Sequence, residues 1–284
     1  MQRTLYFDTN VYDHINKRLG VSDGDVAYLR RYLRAGGVVL RLSVFNLEEA
    51  VGLVRSRPHA ARTLANLMRD LASLDKFFRE PGELAELSVL SAIRGTEAPD
   101  PYLYDQETLE AGLDRLFEAS PEGDRELLDS DASTAIQIRK FHEGMRRGCE
   151  TIRVNLRTLN PSGRRVPFDR YLEQGRRRAA EDMLARLSTD VSNEQVDRLL
   201  GLRYPKAYIE ASVSLIYSYS FEGLAPKPGD SRDLMHAGLA GLADVFVTQD
   251  RSLSRRLKRI QGLGYQVVDL RSLLRPLDEQ VSPN

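Results

Sequence analysis

Four short apolar runs near the two ends of the chain are typical of buried β-strands. They cover residues 4–7, 38–42, 245–248 and 265–268, and each is bounded by glycine or by a polar residue. Helical periodicity lies between consecutive runs, over residues 11–19, 25–34, 47–55, 233–243 and 252–261. Strands that alternate with helices predict βαβ units, and therefore a parallel sheet with helices on both faces.

The middle of the chain has little strand signal. Helical periodicity covers residues 61–78, 107–117, 134–147, 168–187, 194–202 and 205–219, with proline and glycine turn signals between them. We therefore predict an α/β core formed by residues 1–58 and 205–284, interrupted by a mainly α-helical insertion over residues 59–204. Chain order alone leaves open whether this insertion is a separate domain.

Acidic residues follow the predicted strands. Asp8 ends the first strand and Asp250 follows the third, while Asp233 opens the helix that leads into the third strand. Glu48 and Glu49 lie in the first turn of the helix after the second strand. Ligands bind outside the carboxyl ends of the strands in an open parallel sheet, so we expect these acids at one rim.

A cluster of carboxylates is electrostatically unfavourable unless a cation neutralises it. Mg²⁺ and Mn²⁺ prefer such oxygen ligands, and they can activate water and stabilise charge on a phosphoryl oxygen. The chain has one cysteine and four scattered histidines, which leaves no Cys/His metal-binding pattern. The acids therefore predict metal-assisted hydrolysis of a phosphodiester.

Each acid also has a purely structural interpretation. Asp8 and Asp233 could cap helices, Asp250 could be a turn residue, and the adjacent glutamates could stabilise the start of a helix. The metal-site hypothesis rests on the predicted position of all of them at one rim.

Four segments resemble the acidic motifs of PIN domains, in the order found in that family. They are LYFDTN at residues 5–10, SVFNLEE at 43–49, DLMHA at 233–237 and VFVTQD at 245–250. PIN domains are metal-dependent ribonucleases with a Rossmann-like, three-layer α/β/α sandwich. The resemblance covers residues 1–55 and 205–272; a typical PIN domain is about half as long as this chain, so the resemblance does not account for the insertion.

The resemblance implies a site for Mg²⁺ or Mn²⁺ and cleavage of single-stranded RNA. By position in the motifs, the metal-binding and catalytic carboxylates would be Asp8, Glu49, Asp233 and Asp250. Supporting polar residues would be Asn10, Ser43 and Thr248. Glu48 is the fallback for Glu49, because a shift of one residue turns a side chain by about 100° around a helix. Asp230 could also approach a second metal ion.

The net charge of zero conceals an uneven distribution. Residues 83–131 contain 14 acidic and 3 basic residues, whereas residues 139–178 contain 12 basic and 4 acidic residues. A further basic group follows Asp250 and is predicted to contact nucleic acid, because phosphate binding depends on such cations: Arg251, Arg255, Arg256 and Lys258. The acidic and basic stretches indicate either a polyanion site or two complementary faces that pair with each other. A set of solvated helix faces is the plainer interpretation and stays open.

Several functions remain open at this point. Besides an endoribonuclease, the chain could be a catalytically inactive PIN-like scaffold that binds RNA or protein, or a toxin-type ribonuclease controlled by an antitoxin. DNA cleavage follows the same metal chemistry. The sequence has no run long enough to span a membrane and no apolar leader, and its single cysteine fits a reducing compartment. We therefore expect a cytoplasmic protein without a membrane partner, and leave open whether it forms a homo-oligomer.

Overall fold

The central feature is a four-stranded parallel sheet. The computed structural model describes residues 2–54, 56–118 and 166–274, with short stretches between residues 139 and 154. Strands β1 (Arg3–Phe7), β2 (Val38–Arg41), β5 (Val245–Val247) and β6 (Gln266–Val268) are arranged in the order β2-β1-β5-β6. The first strand is central: Leu5 is in register with Leu40 on one side and with Val245 on the other. The predicted strands and their parallel arrangement are confirmed.

Helices connect and cover these strands. The helices before β5 are α1 (Thr9–Asn16), α2 (Asp23–Arg34), α3 (Val44–Val54), α4 (Pro58–Leu71), α5 (Pro81–Arg94), α6 (Gln106–Glu118), α7 (Phe168–Leu184), α8 (Asn193–Gly201), α9 (Arg203–Phe221) and α10 (Asp230–Ala240). Those after β5 are α11 (Arg251–Lys258) and α12 (Leu270–Leu274). Two predicted starts are too late: α3 begins at Val44, so Glu48 and Glu49 lie in its second turn, and α10 begins at Asp230, so Asp233 lies inside its first turn.

The sheet has helices on both faces because successive side chains of a strand point to opposite sides. Leu5, Phe7 and Val245 lie in a core with helices α1 to α4 and α6. Tyr6 and Phe246 point the other way, into a core with helices α5 and α7 to α11. The α/β class with a parallel sheet is therefore confirmed.

A small addition extends the sheet beyond β2. Strand β3 (Phe77–Phe78) pairs with β4 (Tyr102–Leu103) in an antiparallel ladder. The backbone N–H of Phe78 donates to the carbonyl oxygen of Leu42 (2.8 Å), so β3 continues alongside the chain that leaves β2. The helix predicted over residues 61–78 is wrong at its end: α4 stops at Leu71, and the last two residues pair with a distant segment that local periodicity cannot reveal.

The segment predicted as an insertion contributes to both cores. Helices α4 and α6 pack into the core with Leu5, whereas α5, α7 and α8 pack into the core with Tyr6. Its division from residues 1–58 and 205–284 stays a prediction. Parts of the acidic stretch, of the basic stretch and of the helix predicted at residues 134–147 lie outside the described residues. Among the helices that are described, none combines the length and apolarity needed to cross a bilayer.

Candidate active site

Asp8 lies at the carboxyl end of β1 and is held by uncharged donors. Its backbone N–H donates to the carbonyl oxygen of Val247, which fixes it against β5 (3.0 Å). Its Oδ1 atom accepts from the backbone N–H of Asn10 (3.3 Å), and Oδ2 accepts from Asn10 Nδ2 (2.7 Å) and Thr248 Oγ1 (2.8 Å). Asp8 therefore caps α1, and at the same time it is bound to two residues that the sequence motifs singled out.

Asp250 lies at the same rim, after β5. Its Oδ1 atom accepts from the backbone N–H of Leu253 (2.8 Å), which makes it the cap of α11. Its own N–H donates to Thr248 Oγ1 (3.1 Å), so one threonine hydroxyl contacts both the Asp8 side chain and the Asp250 backbone. The Asn10 amide oxygen accepts from the N–H of Gln249 (3.1 Å) and closes this connection.

Glu49 is held by a histidine. His236 Nε2 lies 2.7 Å from Glu49 Oε2 and 3.6 Å from Asp8 Oδ1, and the imidazole is almost fully buried. Burial lowers the pKa of His236, but Glu49 and Asp8 outweigh burial and raise it to about 9. In the same way, burial raises the pKa of Glu49, whereas His236 and Thr9 bring it below its ordinary value. The ring is therefore an imidazolium at neutral pH.

This charge state determines the direction of a buried chain of hydrogen bonds. The His236 Nδ1–H must donate to the Tyr6 hydroxyl oxygen (2.8 Å), so the Tyr6 hydroxyl donates to Ser43 Oγ (3.1 Å). Ser43 Oγ donates to Asn46 Oδ1 (2.9 Å), and Asn46 Nδ2 donates to Thr9 Oγ1 (3.1 Å).

The chain returns to Glu49. The Thr9 hydroxyl is hydrogen-bonded to the Glu49 carboxylate and so completes a ring of six side chains from β1, α1, the β2–α3 connection, α3 and α10. Every donor in the ring has an acceptor, which is the condition for a stable buried polar network. The arrangement fixes Glu49 and His236 relative to β1.

Glu48 points elsewhere, as expected for the next residue of a helix. Burial raises its pKa to about 7, and Glu80 and Glu49 add to the effect. Glu80 caps α5 by accepting from the N–H of Glu83 (2.8 Å). The structure therefore brings Glu49, and not Glu48, towards Asp8 and His236.

Asp233 and Asp230 share an arginine. Arg256 Nη2 lies 2.7 Å from Asp233 Oδ2, and Nη1 lies 3.3 Å from Asp230 Oδ1; the guanidinium is largely buried. Asp230 also accepts from the Tyr219 hydroxyl and from the backbone N–H of Lys227. The oxygens of Asp230 are thus already occupied, and Arg256 balances charge inside the protein.

The pKa values of Asp233 and Asp8 depend on their acidic neighbours. Burial raises the pKa of Asp233 to about 7; Arg256 opposes this, whereas Asp250, Asp8 and Asp230 contribute to it. Burial and Glu49 likewise raise the pKa of Asp8, although His236 opposes them. Asp233 is therefore within electrostatic reach of Asp8 and Asp250, and Asp8 is within reach of Glu49, which connects the four predicted acids pair by pair.

The donor set fits a hard divalent cation in its chemistry, because all of it is carboxylate oxygen. As the side chains stand, however, no three His, Cys, Asp or Glu side chains among the described residues are grouped closely enough to hold a metal ion. Among the described residues, the hydrogen bonds to the Asp8 and Asp250 carboxylates come from uncharged donors, although His236 Nε2 lies 3.6 Å from Asp8 Oδ1. These two acids are therefore the best placed to bind a cation, with Asp233 beside them.

Two cavities lie on either side of Asp250. One, of about 290 Å³, is lined by Asp250, Arg251 and Arg271, together with His14 and the α1–α2 loop; we call it the arginine cavity. The other, of about 280 Å³, is lined by Asp250, Asp233 and Lys227, together with Leu224 and Tyr219; we call it the lysine cavity. Asp250 forms part of the wall of both.

The predicted nucleic-acid-binding residues are distributed unevenly around this rim. Arg251 is exposed and borders the arginine cavity, whereas Arg256 is bound to two acids. Arg255 and Lys258 are exposed but line neither cavity. In the basic stretch, Arg176, Arg177, Arg178 and Arg146 form ion pairs with acids of their own or neighbouring helices, while Arg164 and Arg165 lie outside the described residues.

His236 is the main site residue that sequence analysis missed. The signal was present, because His236 follows Asp233 by three positions and residues three apart share one face of a helix. The sequence patterns give Asn46 no role at the site, and they place Tyr6 only within a buried strand. Comparison of the chain with protein-family models, with curated proteins and with solved structures gives no match in any of the three.

Proposed function

We propose that the protein is a metal-dependent nuclease of the PIN type that hydrolyses phosphodiester bonds of single-stranded RNA, with Mg²⁺ or Mn²⁺. The observation that carries the proposal is the convergence of Asp8, Glu49, Asp233 and Asp250 at the carboxyl rim of a parallel sheet. The pKa of Asp233 supports it: burial raises this pKa to about 7, Asp250 and Asp8 add to the effect, and a cation bound beside these acids would favour their ionised forms.

In this mechanism, Asp8 and Asp250 would hold the ion, with Asp233 as a third carboxylate. The bound ion would supply a lowered water pKa and would stabilise negative charge on the phosphoryl oxygens. Thr248 and Asn10 hold the Asp8 carboxylate in place by the hydrogen bonds described above. His236 neutralises Glu49, so the protein itself limits repulsion between its acids and the phosphate.

A second candidate is a scaffold that binds nucleic acid or protein without cleavage. It is favoured by the fact that every acid also has an internal role: Asp8 and Asp250 cap helices, Glu49 pairs with His236, and Asp233 pairs with Arg256. A toxin-type ribonuclease held by an antitoxin would use the same site, and would differ in harming cells that express it without its antitoxin.

The test is cleavage of single-stranded RNA with Mn²⁺, comparing wild type with Asp8→Asn and Asp250→Asn. Asparagine caps helices about as well as aspartate, so both variants should fold while losing a charge at the site. We expect each to lose at least about 100-fold in rate, the scale of loss of a principal electrostatic contribution to catalysis.

The matched control is Asp182→Asn, which makes the same chemical change at an exposed position on α7. This variant should cleave RNA at the wild-type rate, and EDTA should stop cleavage by the variant and by wild type. A pure, folded wild type that does not cleave RNA with Mn²⁺, or Asp8→Asn and Asp250→Asn variants that cleave normally, would contradict the proposal.

A further inference from the structure

We infer that the arginine cavity and the lysine cavity hold adjacent nucleotides of one single strand, which crosses the rim at Asp250. This inference rests on the proposed function and defines its substrate: a polynucleotide with residues on both sides of the cleaved bond. The shared chemistry is a single-stranded phosphodiester chain, which RNA and DNA both provide.

Size is the first argument. Cavities of about 290 and 280 Å³ lie at the lower limit of ordinary ligand sites, about 300 Å³, so each suits one nucleotide and neither suits a base pair. Because Asp250 borders both cavities, a strand that fills both must place its connecting phosphate beside Asp250. This is where the proposed chemistry needs a phosphate.

Charge is the second argument. Arg251 and Arg271 line the arginine cavity together with Asp269, Lys227 lines the lysine cavity, and the three cations are exposed. Arg271 is within electrostatic reach of Asp269 and Asp25. Within the part of the chain that the structure describes, none of the three cations forms an ion pair, in contrast to Arg256 between them. Cations left unpaired on both sides of an acidic centre are what a polyanion requires if it is to approach that centre.

The shape of the arginine cavity is set by the loop between α1 and α2. Arg18 (φ 53°) and Gly20 (φ 71°) both have left-handed backbone conformations, which turn the loop sharply after α1. A Cβ atom on Gly20 would lie 3.6 Å from Arg271 Nη2, so the loop runs directly beside that guanidinium. Arg271 therefore lies at the cavity wall, next to this loop.

The lysine cavity differs in its lining. Leu224 is 42% exposed, and with Ala225 and the Tyr219 ring it provides an apolar wall beside Lys227. An apolar wall next to one cation suits a base and its phosphate, whereas two arginines and a histidine suit phosphate and sugar. We therefore assign the stronger phosphate contact to the arginine cavity.

The test is binding without cleavage, which separates this inference from the proposed nuclease activity. Fluorescein-labelled uridine oligomers of one, two, four and eight nucleotides, as RNA and as DNA, would be titrated with the full-length Asp8→Asn variant in EDTA. Anisotropy should show a steep gain in affinity, of at least tenfold, between one and four nucleotides. The comparison of RNA with DNA decides which strand the cavities prefer.

Two substitutions in the same background test the assignment of the cavities. Arg271→Gln and Lys227→Gln should each weaken binding of the eight-nucleotide strand about fivefold or more, and should each reduce the salt slope by about 0.7. Arg31→Gln is the matched control, because Arg31 is exposed on α2 and lines neither cavity.

The inference fails if a mononucleotide binds as tightly as four nucleotides, or if Arg271→Gln and Lys227→Gln bind like Arg31→Gln. It also fails if no oligomer binds, even when wild type cleaves RNA with Mn²⁺. Length-dependent binding that is lost in both cavity variants supports it, even when wild type does not cleave, and in that case the nuclease proposal alone is contradicted.

Discussion

The two pairs of acids at the rim are held in different ways. Asp8 and Asp250 accept hydrogen bonds from uncharged groups: the Thr248 hydroxyl, the Asn10 amide and backbone N–H groups. Glu49 and Asp233 instead pair with cations of the protein, the His236 imidazolium and the Arg256 guanidinium. His236 Nε2 also lies 3.6 Å from Asp8 Oδ1, farther than from Glu49 Oε2 at 2.7 Å, so the first pair contacts the protein's cations less closely than the second.

This difference shows how a protein can fold around a cluster of acids. Four unpaired carboxylates at one rim would repel one another strongly, and an external ion cannot relieve that repulsion before the site has formed. Two internal cations remove most of the cost and leave a smaller negative site. The pairing of Glu49 and Asp233 with internal cations therefore serves folding, whereas Asp8 and Asp250 are left for ion binding.

The largest expected effect is on stability, from His236→Gln. Removing one partner of a buried charge pair typically costs about 3–5 kcal/mol. Here it would leave Glu49 near Asp8 with only the partly exposed Arg232, 3.7 Å away, as a neighbouring cation. Chemical denaturation in EDTA would measure the loss. His59→Gln, at an exposed position, is the matched control and should change stability little.

The same pair predicts a dependence on pH. The folded pKa of His236 is raised to about 9 from an ordinary value of 6.5, so its contribution is fully present below pH 6.5 and is lost as the pH rises through about 9. The difference in unfolding free energy between wild type and His236→Gln should therefore shrink as the pH rises from 6.5 through about 9. A difference that stays constant from pH 6 to pH 10 would contradict the assignment of an imidazolium.

A smaller effect is expected for Arg256→Gln, measured as Mn²⁺ affinity at pH 8.5. The Asp233 carboxylate would no longer be shared with a guanidinium, and the negative charge of the rim would increase. We expect binding to tighten about tenfold, equivalent to about 1.4 kcal/mol. Arg255→Gln, an exposed neighbour on the same helix, should leave the affinity unchanged; weaker binding in Arg256→Gln would mean that Arg256 mainly positions Asp233.

The smallest effect separates the two adjacent glutamates. The folded pKa of Glu48 is raised to about 7, so its ionisation costs stability; the cost begins as the pH passes 4.5 and is complete above about 7. Glu48→Gln should therefore stabilise the protein by about 1 kcal/mol at pH 8 and hardly at all at pH 5. Glu49→Gln should destabilise the protein at both pH values, because His236 loses its partner. Equal changes in stability for Glu48→Gln and Glu49→Gln would contradict the difference between the two glutamates.

Much of the fold was predictable because the informative signals are local. Each of the four core strands is a short apolar run, and the helices between them predict that the strands run parallel. The carboxyl-rim rule then placed Asp8 and Asp250 together although they are far apart in sequence. Strand β3 was missed because Phe78 pairs with Leu42, a contact that helical periodicity over residues 61–78 hides.

The candidate site was less predictable, since it depends on which cations the acids contact. In the sequence, Arg256 resembles its exposed neighbour Arg255. Only the tertiary structure, which brings Arg256 against Asp230 and Asp233 of α10, separates the buried residue from the exposed one. His236 is one of four scattered histidines, and its role depends on Glu49 and Tyr6 arriving from other elements. Single residue patterns cannot encode such contacts.

The most direct test of the account is calorimetric titration of Mn²⁺ into the full-length wild type, Asp8→Asn and Asp250→Asn proteins. The account predicts saturable binding by wild type and a loss of at least tenfold in affinity in each variant, while Glu48→Gln binds like wild type. Folded wild type that binds no Mn²⁺, or variants that bind it as tightly as wild type does, would contradict it.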